Sequence, residues 1–236
     1  MKYRAFAMIL LCVTLTAQAA PLKSYTATYT VNAFGVSIGK ANREFKYDTN
    51  AGYELKMHTS SASMFLKMEV DESSAGNSAY QPLHYRYTKK KDKDIIKSTA
   101  DFDWKALTAV SHYKDSVYTL PLKPDTQDKL SYQLQMQQDV MAGKKTFVYT
   151  LVDDKKIETY RFFMKGHETL KTALGEIDTI RMEKESDASK RSTTFWLAPK
   201  YDYMLVKLEH VEHGVSTTVV VDTLLMALMV SDTHAK

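Results

Sequence analysis

The chain has 236 residues, of which 44% are hydrophobic and 25% are charged, and its formal net charge is +4 at pH 7. This length allows one large domain, and so small an excess of base gives no reason to expect a nucleic-acid partner. The single cysteine, Cys12, lies in the apolar N-terminal stretch, which excludes disulfide staples, a cysteine nucleophile and a cysteine-ligated metal from the chain that follows.

Residues 1–19 have the pattern of a secretory signal peptide. Lys2 and Arg4 precede an uncharged apolar stretch, and Ala17-Gln18-Ala19 matches the small-x-small pattern of a cleavage site. The apolar stretch is shorter than the roughly 20 residues that a membrane-spanning helix needs. We therefore predict export to the periplasm, cleavage after residue 19 and a mature chain that does not span a membrane.

Alternating apolar and polar residues follow the leader and predict β-strands with one buried face. The first predicted strand, around 25–31, ends at a reversal marked by Gly35 and Gly39. Further strands are predicted at 53–57, 64–70, 85–87, 95–104, 108–113 and 117–120. Short spacings between these strands indicate antiparallel hairpins.

One segment in mid-chain has the period of a helix instead. Leu130 and Leu134 fall on one helical face, Asp125 or Thr126 is the expected cap, and the main helix is predicted at about 125–142. Strands resume at 146–152, 157–165, 177–185, 193–197, 204–209 and 215–225. We predict a mainly β fold, either a large curved antiparallel sheet or a partly open β-barrel. We expect a single domain at residues 20–236, with its core at about 25–225.

A candidate nucleophile, Ser37, lies in Gly35-Val36-Ser37-Ile38-Gly39, which matches the Gly-x-Ser-x-Gly elbow of α/β-hydrolases. Such an elbow needs a helix after the serine and a parallel sheet around it, whereas the residues after Ser37 alternate as a strand. A hairpin tip accounts for the two glycines, so hydrolysis through Ser37 is kept only as the last alternative.

The remaining polar pairs are explained more simply as residues of the solvent-exposed surface. His210 and His213 would converge on a metal only from a helix, because residues i and i+3 of a strand point to opposite faces. Asp101 and Asp103 share a strand face with no histidine or base visible beside them, and His167-Glu168 is a similarly isolated pair. The sequence therefore predicts no catalytic residue, no metal site and no cofactor.

Bulky, adaptable side chains are frequent on the strand faces, since the chain has 12 methionines and 15 tyrosines. Methionine moulds itself to irregular apolar partners, so these residues could line a pocket for an acyl chain, although a plain core is the simpler explanation. The residues expected at such a pocket are Met57, Met64, Met68, Met136, Met141 and Trp104. The run Lys89–Asp94 could meet anionic lipid headgroups, but a solvated hairpin tip explains it more simply.

Several motifs occur in an order that resembles a known family. They are Gly35-x-x-x-Gly39, Phe102-Asp103-Trp104, Asp128-Lys129-Leu130-Ser131, the segment Gly166–Gly175 and Phe195-Trp196-Leu197-Ala198-Pro199. Their order is similar to that of bacterial exported proteins classed as domain of unknown function 3108. The resemblance implies an envelope protein of Gram-negative bacteria, and it brings no activity, cofactor or catalytic residue.

These observations favour a non-enzymatic periplasmic protein that binds a hydrophobic ligand, a lipid or a lipoprotein. The first alternative is an envelope assembly or scaffolding factor that binds a partner protein through an exposed sheet edge or an aromatic patch. The second alternative is the hydrolase that would use Ser37.

Overall fold

The computed structural model describes residues 21–63, 66–186 and 191–227, with no description of the side chains at 62, 63 and 66. The predicted signal peptide and Met64 lie outside the described residues. The first strands are β1 (Tyr25–Ala33), β2 (Val36–Asp48), β3 (Gly52–Ser63), β4 (Leu66–Gly76), β5 (Pro82–Lys91), β6 (Asp94–Asp103), β7 (Thr108–Tyr113) and β8 (Ser116–Pro121). After them come β9 (Gln127–Asp128), the helix α1 (Tyr132–Met141), β10 (Phe147–Asp153), β11 (Lys156–Thr172), β12 (Gly175–Lys184), β13 (Arg191–Ala198), a 3-10 turn (Pro199–Tyr201), β14 (Met204–Glu212) and β15 (Val215–Met226).

The strands form one 15-stranded sheet in the order β8-β7-β6-β5-β4-β3-β2-β1-β15-β14-β13-β12-β11-β10-β9. The first and last strands pair in the middle of this sheet, so each half of the chain forms one wing. All described pairs are antiparallel except β9 with β10, which run parallel. The prediction of a mainly β fold with a large curved sheet and one main helix is confirmed, with one parallel pair that the sequence did not indicate.

The two wings curl toward each other, and no backbone ladder joins them among the described residues. Asp154, in the turn between β10 and β11, accepts a hydrogen bond from Ser98 Oγ on β6 at 2.6 Å. Its backbone carbonyl accepts another from Ser111 Oγ on β7 at 2.5 Å, and Lys129 Nζ lies 2.7 Å from its carboxylate. Because β6 and β7 belong to the opposite wing, side chains rather than backbone pairs hold the partly open barrel together.

The core lies inside the curved sheet. One row of cross-strand partners on the inner face is fully buried. It consists of Tyr25, Phe45, Leu55, Ser74 and Tyr85. The helix α1 contributes Leu134 to the apolar cluster of this wing and Met136 to the cluster of the other wing. The helix therefore packs inside the barrel and connects the two clusters.

The helix begins at Tyr132 rather than near residue 125. Gln127 and Asp128 pair with β10 as a strand, and Asp128 then turns the chain by accepting hydrogen bonds from the backbone N–H groups of Leu130 and Ser131 at 2.8 and 2.7 Å. The expected caps at 125 and 126 were wrong because a short-range helical pattern does not reveal a strand pairing with β10.

The two glycines of the first hairpin have different functions. The turn itself is Phe34-Gly35, where both residues have positive φ values of 53° and 77°. Gly39 lies within β2, where an added Cβ would meet the carbonyl oxygen of Ser60 on β3 at 2.2 Å. Gly39 is therefore needed for the close approach of β2 and β3 and not for the reversal that the sequence predicted.

Candidate functional site

A partly charged row crosses the inner face next to the fully buried row. Arg43 on β2, Met57 on β3, Glu72 on β4 and Tyr87 on β5 are successive cross-strand partners. Arg43 is only 1% exposed, and the other three are half-buried. A buried charge is costly unless it is paired or hydrogen-bonded. This row is where the interior departs from a plain apolar core.

The guanidinium of Arg43 is only partly satisfied. Its Nε donates to Tyr25 Oη at 2.8 Å, and its Nη1 donates to Gln133 Oε1 at 2.6 Å. Its Nη2 is buried and has no hydrogen-bond partner among the described residues. Burial acts to lower the pKa of Arg43, but Tyr25, Tyr29 and Glu72 nearby raise it overall, so the side chain stays charged.

Glu72 faces the same interior. Tyr85 Oη donates to its Oε1 at 2.6 Å. Burial raises the pKa of Glu72 to about 7, against the opposing effects of this hydrogen bond and of Lys129 and Arg43. Both protonation states of this carboxyl are therefore present near neutral pH, and its protonated state leaves Arg43 with an excess positive charge.

The segment before α1 supplies two further charged groups. Asp128 accepts a hydrogen bond from Ser74 Oγ at 2.6 Å, and burial raises the pKa of Asp128 to about 6. The Lys129 ammonium lies 5.6 and 5.3 Å from the ring centroids of Tyr85 and Tyr87, within cation–π range. These contacts fix the helical segment against the inner face and close one side of the site.

The interior opens toward one end of the sheet. Beyond the row that contains Met57 and Tyr87, the next inward residues, such as the partners Val70 and Lys89, are also half-buried. This is the end that carries the β1–β2, β5–β6 and β7–β8 turns. The opening thus lies along β3 to β5, beside Arg43, whereas Ala41, the next inward residue on β2, is fully buried.

The predicted pocket residues do not come together at one place. Met57 and Met68 are half-buried on the inner face, at the opening. Met136 is fully buried in the other wing, and Met141 is half-buried at the end of α1. Trp104 follows β6 at the opposite end of the sheet, where its indole N–H donates to a backbone carbonyl at 2.7 Å. Of the described candidates, Met57 and Met68 alone border the opening.

A second region is a depression of about 450 Å³ on the outer face of β2 to β5. Its outward-facing side chains include His58 and Asp71, whose Nδ1 and Oδ1 atoms are 2.7 Å apart. Glu69 joins them to form a group whose potential ligand atoms lie within 4.8 Å of one another. The Lys90 ammonium already neutralises Glu69 at 2.9 Å. We therefore do not assign a metal site to this exposed group.

The family model described as "Protein of unknown function (DUF3108)" matches residues 24–220. The chain belongs to this family. The curated proteins contain no match to this DUF3108 chain. Among solved structures, a β-barrel-like protein of the domain of unknown function DUF1849 from Brucella abortus is similar, with a TM-score of 0.63 and 12% identity over 89% of this chain and 100% of that chain. At that identity the likeness shows the fold alone.

A second solved structure that matches is "a putative lipoprotein from Parabacteroides distasonis ATCC 8503". Its TM-score is 0.37 at 10% identity, over 87% of this chain and 96% of that chain. Similarity at this level carries no argument. Within the described part of the DUF3108 chain, no helix has the length and apolar character needed to cross a membrane.

The structure gives the polar pairs of this DUF3108 chain partners that the sequence did not reveal. Asp101 was expected to stand without a histidine or base, but the β5–β6 register places His84 opposite it, and His84 Nδ1 and Arg86 Nη1 lie 2.8 and 3.0 Å from its Oδ1. Glu168 accepts a hydrogen bond from Trp196 Nε1 at 2.8 Å. Both carboxylates therefore take part in cross-strand contacts on the sheet.

The residues proposed for hydrolysis or metal binding also fall into ordinary strand and turn positions. Ser37 lies in β2 and is followed by further strand residues, so the strand–turn–helix context of a nucleophile elbow is absent. His210 lies on β14 with its Nδ1 2.9 Å from Thr193 Oγ1, whereas His213 lies in the turn between β14 and β15. The two histidines are thus held by different structural elements.

Proposed function

We propose that this DUF3108 chain is a non-enzymatic binding protein of the bacterial cell envelope that holds a lipid-like ligand in its barrel. The proposal includes export to the periplasm by the N-terminal signal and a mature chain that forms one β-rich domain. The observation that carries it is the buried Arg43, whose Nη2 has no hydrogen-bond partner in the described part of the chain and whose cross-strand neighbour is the half-buried Met57.

An unsatisfied buried donor costs about 1–3 kcal/mol, so an acceptor brought in by a ligand would gain that amount. The planar guanidinium favours carboxylate and phosphate oxygens. Met57, Met68 and Val70 lead from Arg43 toward the opening and can contact an apolar chain. The chemistry that fits is an acidic head group at Arg43 with an acyl chain directed outward.

The test is native mass spectrometry of the full-length protein, expressed with its own leader and purified from periplasm without detergent. We expect a bound acidic lipid in the unmodified protein and an affinity for it that falls by about 10- to 150-fold in Arg43→Met, since removing the charge forfeits roughly 1.5–3 kcal/mol. Arg86→Met is the matched control, because Arg86 is exposed on the outer face and pairs with Asp101.

Thermal melts would show whether Arg43→Met still folds, and Met57→Gln tests the same opening while leaving the buried charge in place. An unmodified protein that carries no lipid and does not bind a fluorescent fatty acid would contradict the proposal. Equal lipid content in Arg43→Met and Arg86→Met would show that Arg43 does not hold the ligand.

A second candidate, binding of a partner protein, is favoured by the edge of β11. The ladder between β10 and β11 ends at Phe162, so the residues from Phe163 onward pair with β12 alone. Phe163 and Met164 are exposed there, and such an edge can accept a strand from another chain. A photocrosslinker at position 164 should capture one reproducible envelope protein in intact cells, whereas a crosslinker at the exposed Val110 on β7 should not.

A further inference from the structure

We propose that the open end of the sheet is a docking surface for an anionic lipid membrane. This surface, the lysine rim, consists of the segments Phe34–Val36, Lys89–Lys97 and Tyr113–Val117 together with Lys155. The proposal goes beyond binding of a ligand in the interior, because it concerns the end of the sheet at the turns and holds whether or not the barrel contains a lipid.

The antiparallel topology gathers these segments at one end. The β1–β2, β5–β6 and β7–β8 turns all follow odd-numbered strands and lie at the same end of one wing. The tips contact their neighbours, since the Lys114 backbone N–H donates to the Lys97 carbonyl at 3.3 Å. Lys155, in the β10–β11 turn of the other wing, lies 5.1 Å from the centre of the Tyr113 ring.

The rim exposes large apolar side chains at the turns. Phe34 is 79% exposed, Val36 is 59% exposed, and Ile95 and Val117 are each 60% exposed. A single exposed apolar residue needs no explanation, but several at one end of a molecule indicate a surface that contacts something else.

Phe34 carries the strongest signal within the rim. Its φ of 53° places a bulky residue in the left-handed region, which suits glycine and asparagine far better. The side chain thus has a backbone conformation that bulky residues rarely adopt, and 79% of its surface is exposed to solvent. Leu107 has a similar φ of 54° but is only 47% exposed, so the exposure distinguishes Phe34, and a partner that receives the ring explains that exposure.

The charge of the rim indicates the chemistry of that partner. Its segments contain seven lysines and three aspartates. Lys90 is paired with Glu69 at 2.9 Å, and the excess of positive charge remains. Lysines next to inserted apolar side chains are the combination that binds anionic lipid surfaces, because the ammonium groups meet the headgroups while the apolar tips enter the interface. We therefore assign a bilayer rather than an acidic protein to this surface.

The experiment is co-sedimentation of the mature protein with vesicles of phosphatidylglycerol and phosphatidylethanolamine, and with phosphatidylcholine vesicles. We expect binding to the first that weakens at high salt. The double variant Phe34→Ser/Ile95→Ser should bind about tenfold more weakly, because two inserted apolar side chains are lost. Lys91→Glu/Lys93→Glu should weaken binding similarly.

Leu107→Ser is the matched control. Leu107 is 47% exposed and also has a positive φ, of 54°, but it lies in the β6–β7 turn at the opposite end. Unchanged vesicle binding in this variant supports the rim. No binding of the unmodified protein to phosphatidylglycerol vesicles, equal binding to phosphatidylcholine, or an equal loss in Leu107→Ser would overturn the proposal. Lipid content measured after Arg43→Met tests the interior site separately, since that variant leaves the rim intact.

Discussion

Replacing Glu72 by glutamine should change how the stability of the protein depends on pH. Burial raises the pKa of this carboxyl from 4.5 to about 7. An acid whose pKa is raised by folding binds more protons in the folded state, so its contribution is fully present below pH 4.5 and is lost as the pH rises through 7. A shift of this size corresponds to about 3 kcal/mol in the free energy of unfolding.

The measurement is urea denaturation of the unmodified protein and of Glu72→Gln at pH 4.5 and at pH 8. Relative to the unmodified protein, the variant should gain about 3 kcal/mol on going to the higher pH, because glutamine does not ionise. Carboxylates distant from Glu72 contribute equally to both proteins and cancel in the difference, whereas the buried Asp128 interacts with Glu72 and adds a smaller change. Ser73→Ala, on the outer face of the same strand, is the control, because it removes no ionisable group. Parallel profiles for Glu72→Gln and the unmodified protein would refute the assignment of a buried, high-pKa carboxyl.

Three further substitutions test the packing. Gly39→Ala should destabilise the protein by about 1–3 kcal/mol by denaturant titration, because its Cβ would meet a backbone carbonyl of β3 at 2.2 Å. Asp154→Ala should cost about 2–4 kcal/mol and speed hydrogen exchange in β6, since it removes the hydrogen bond from Ser98 across the wings and the ion pair with Lys129. Asp115→Ala in the neighbouring turn should be nearly neutral. Met136→Ala should lower the free energy of unfolding by about 2–5 kcal/mol, because its side chain is fully buried. Met164→Ala should lower it by less than about 1 kcal/mol, because Met164 is exposed on β11. Equal effects of the two methionine variants would contradict the packing described for α1.

Alternation in the sequence was sufficient to predict which side chains face the interior. Tyr25, Ala27, Tyr29 and Val31 are all buried on β1, as their period of two requires. The mainly β class and the existence of one helix follow from the same periodicities. The start of that helix was predicted about seven residues too early, because β9 forms only through pairing with a strand that is distant in sequence.

The periodicity of the sequence does not predict the residues of the candidate site. Met57 borders the opening, whereas Met136 is fully buried and Trp104 lies at the opposite end of the sheet. A ligand-binding role for these residues stays a prediction. The sequence also did not indicate Arg43 or Glu72, which a search for buried charges at inward positions of alternating strands could have found.

What the sequence alone determined is the face of each strand, because that depends only on the alternation of side chains along it. What only the tertiary structure decided is the register, which places Arg43 beside Met57 and Glu72 and puts His84 opposite Asp101. Register depends on turn lengths, bulges and the order of strands in the sheet, so residues that meet across strands have no fixed spacing in the sequence. The interior site and the lysine rim both arise from that pairing.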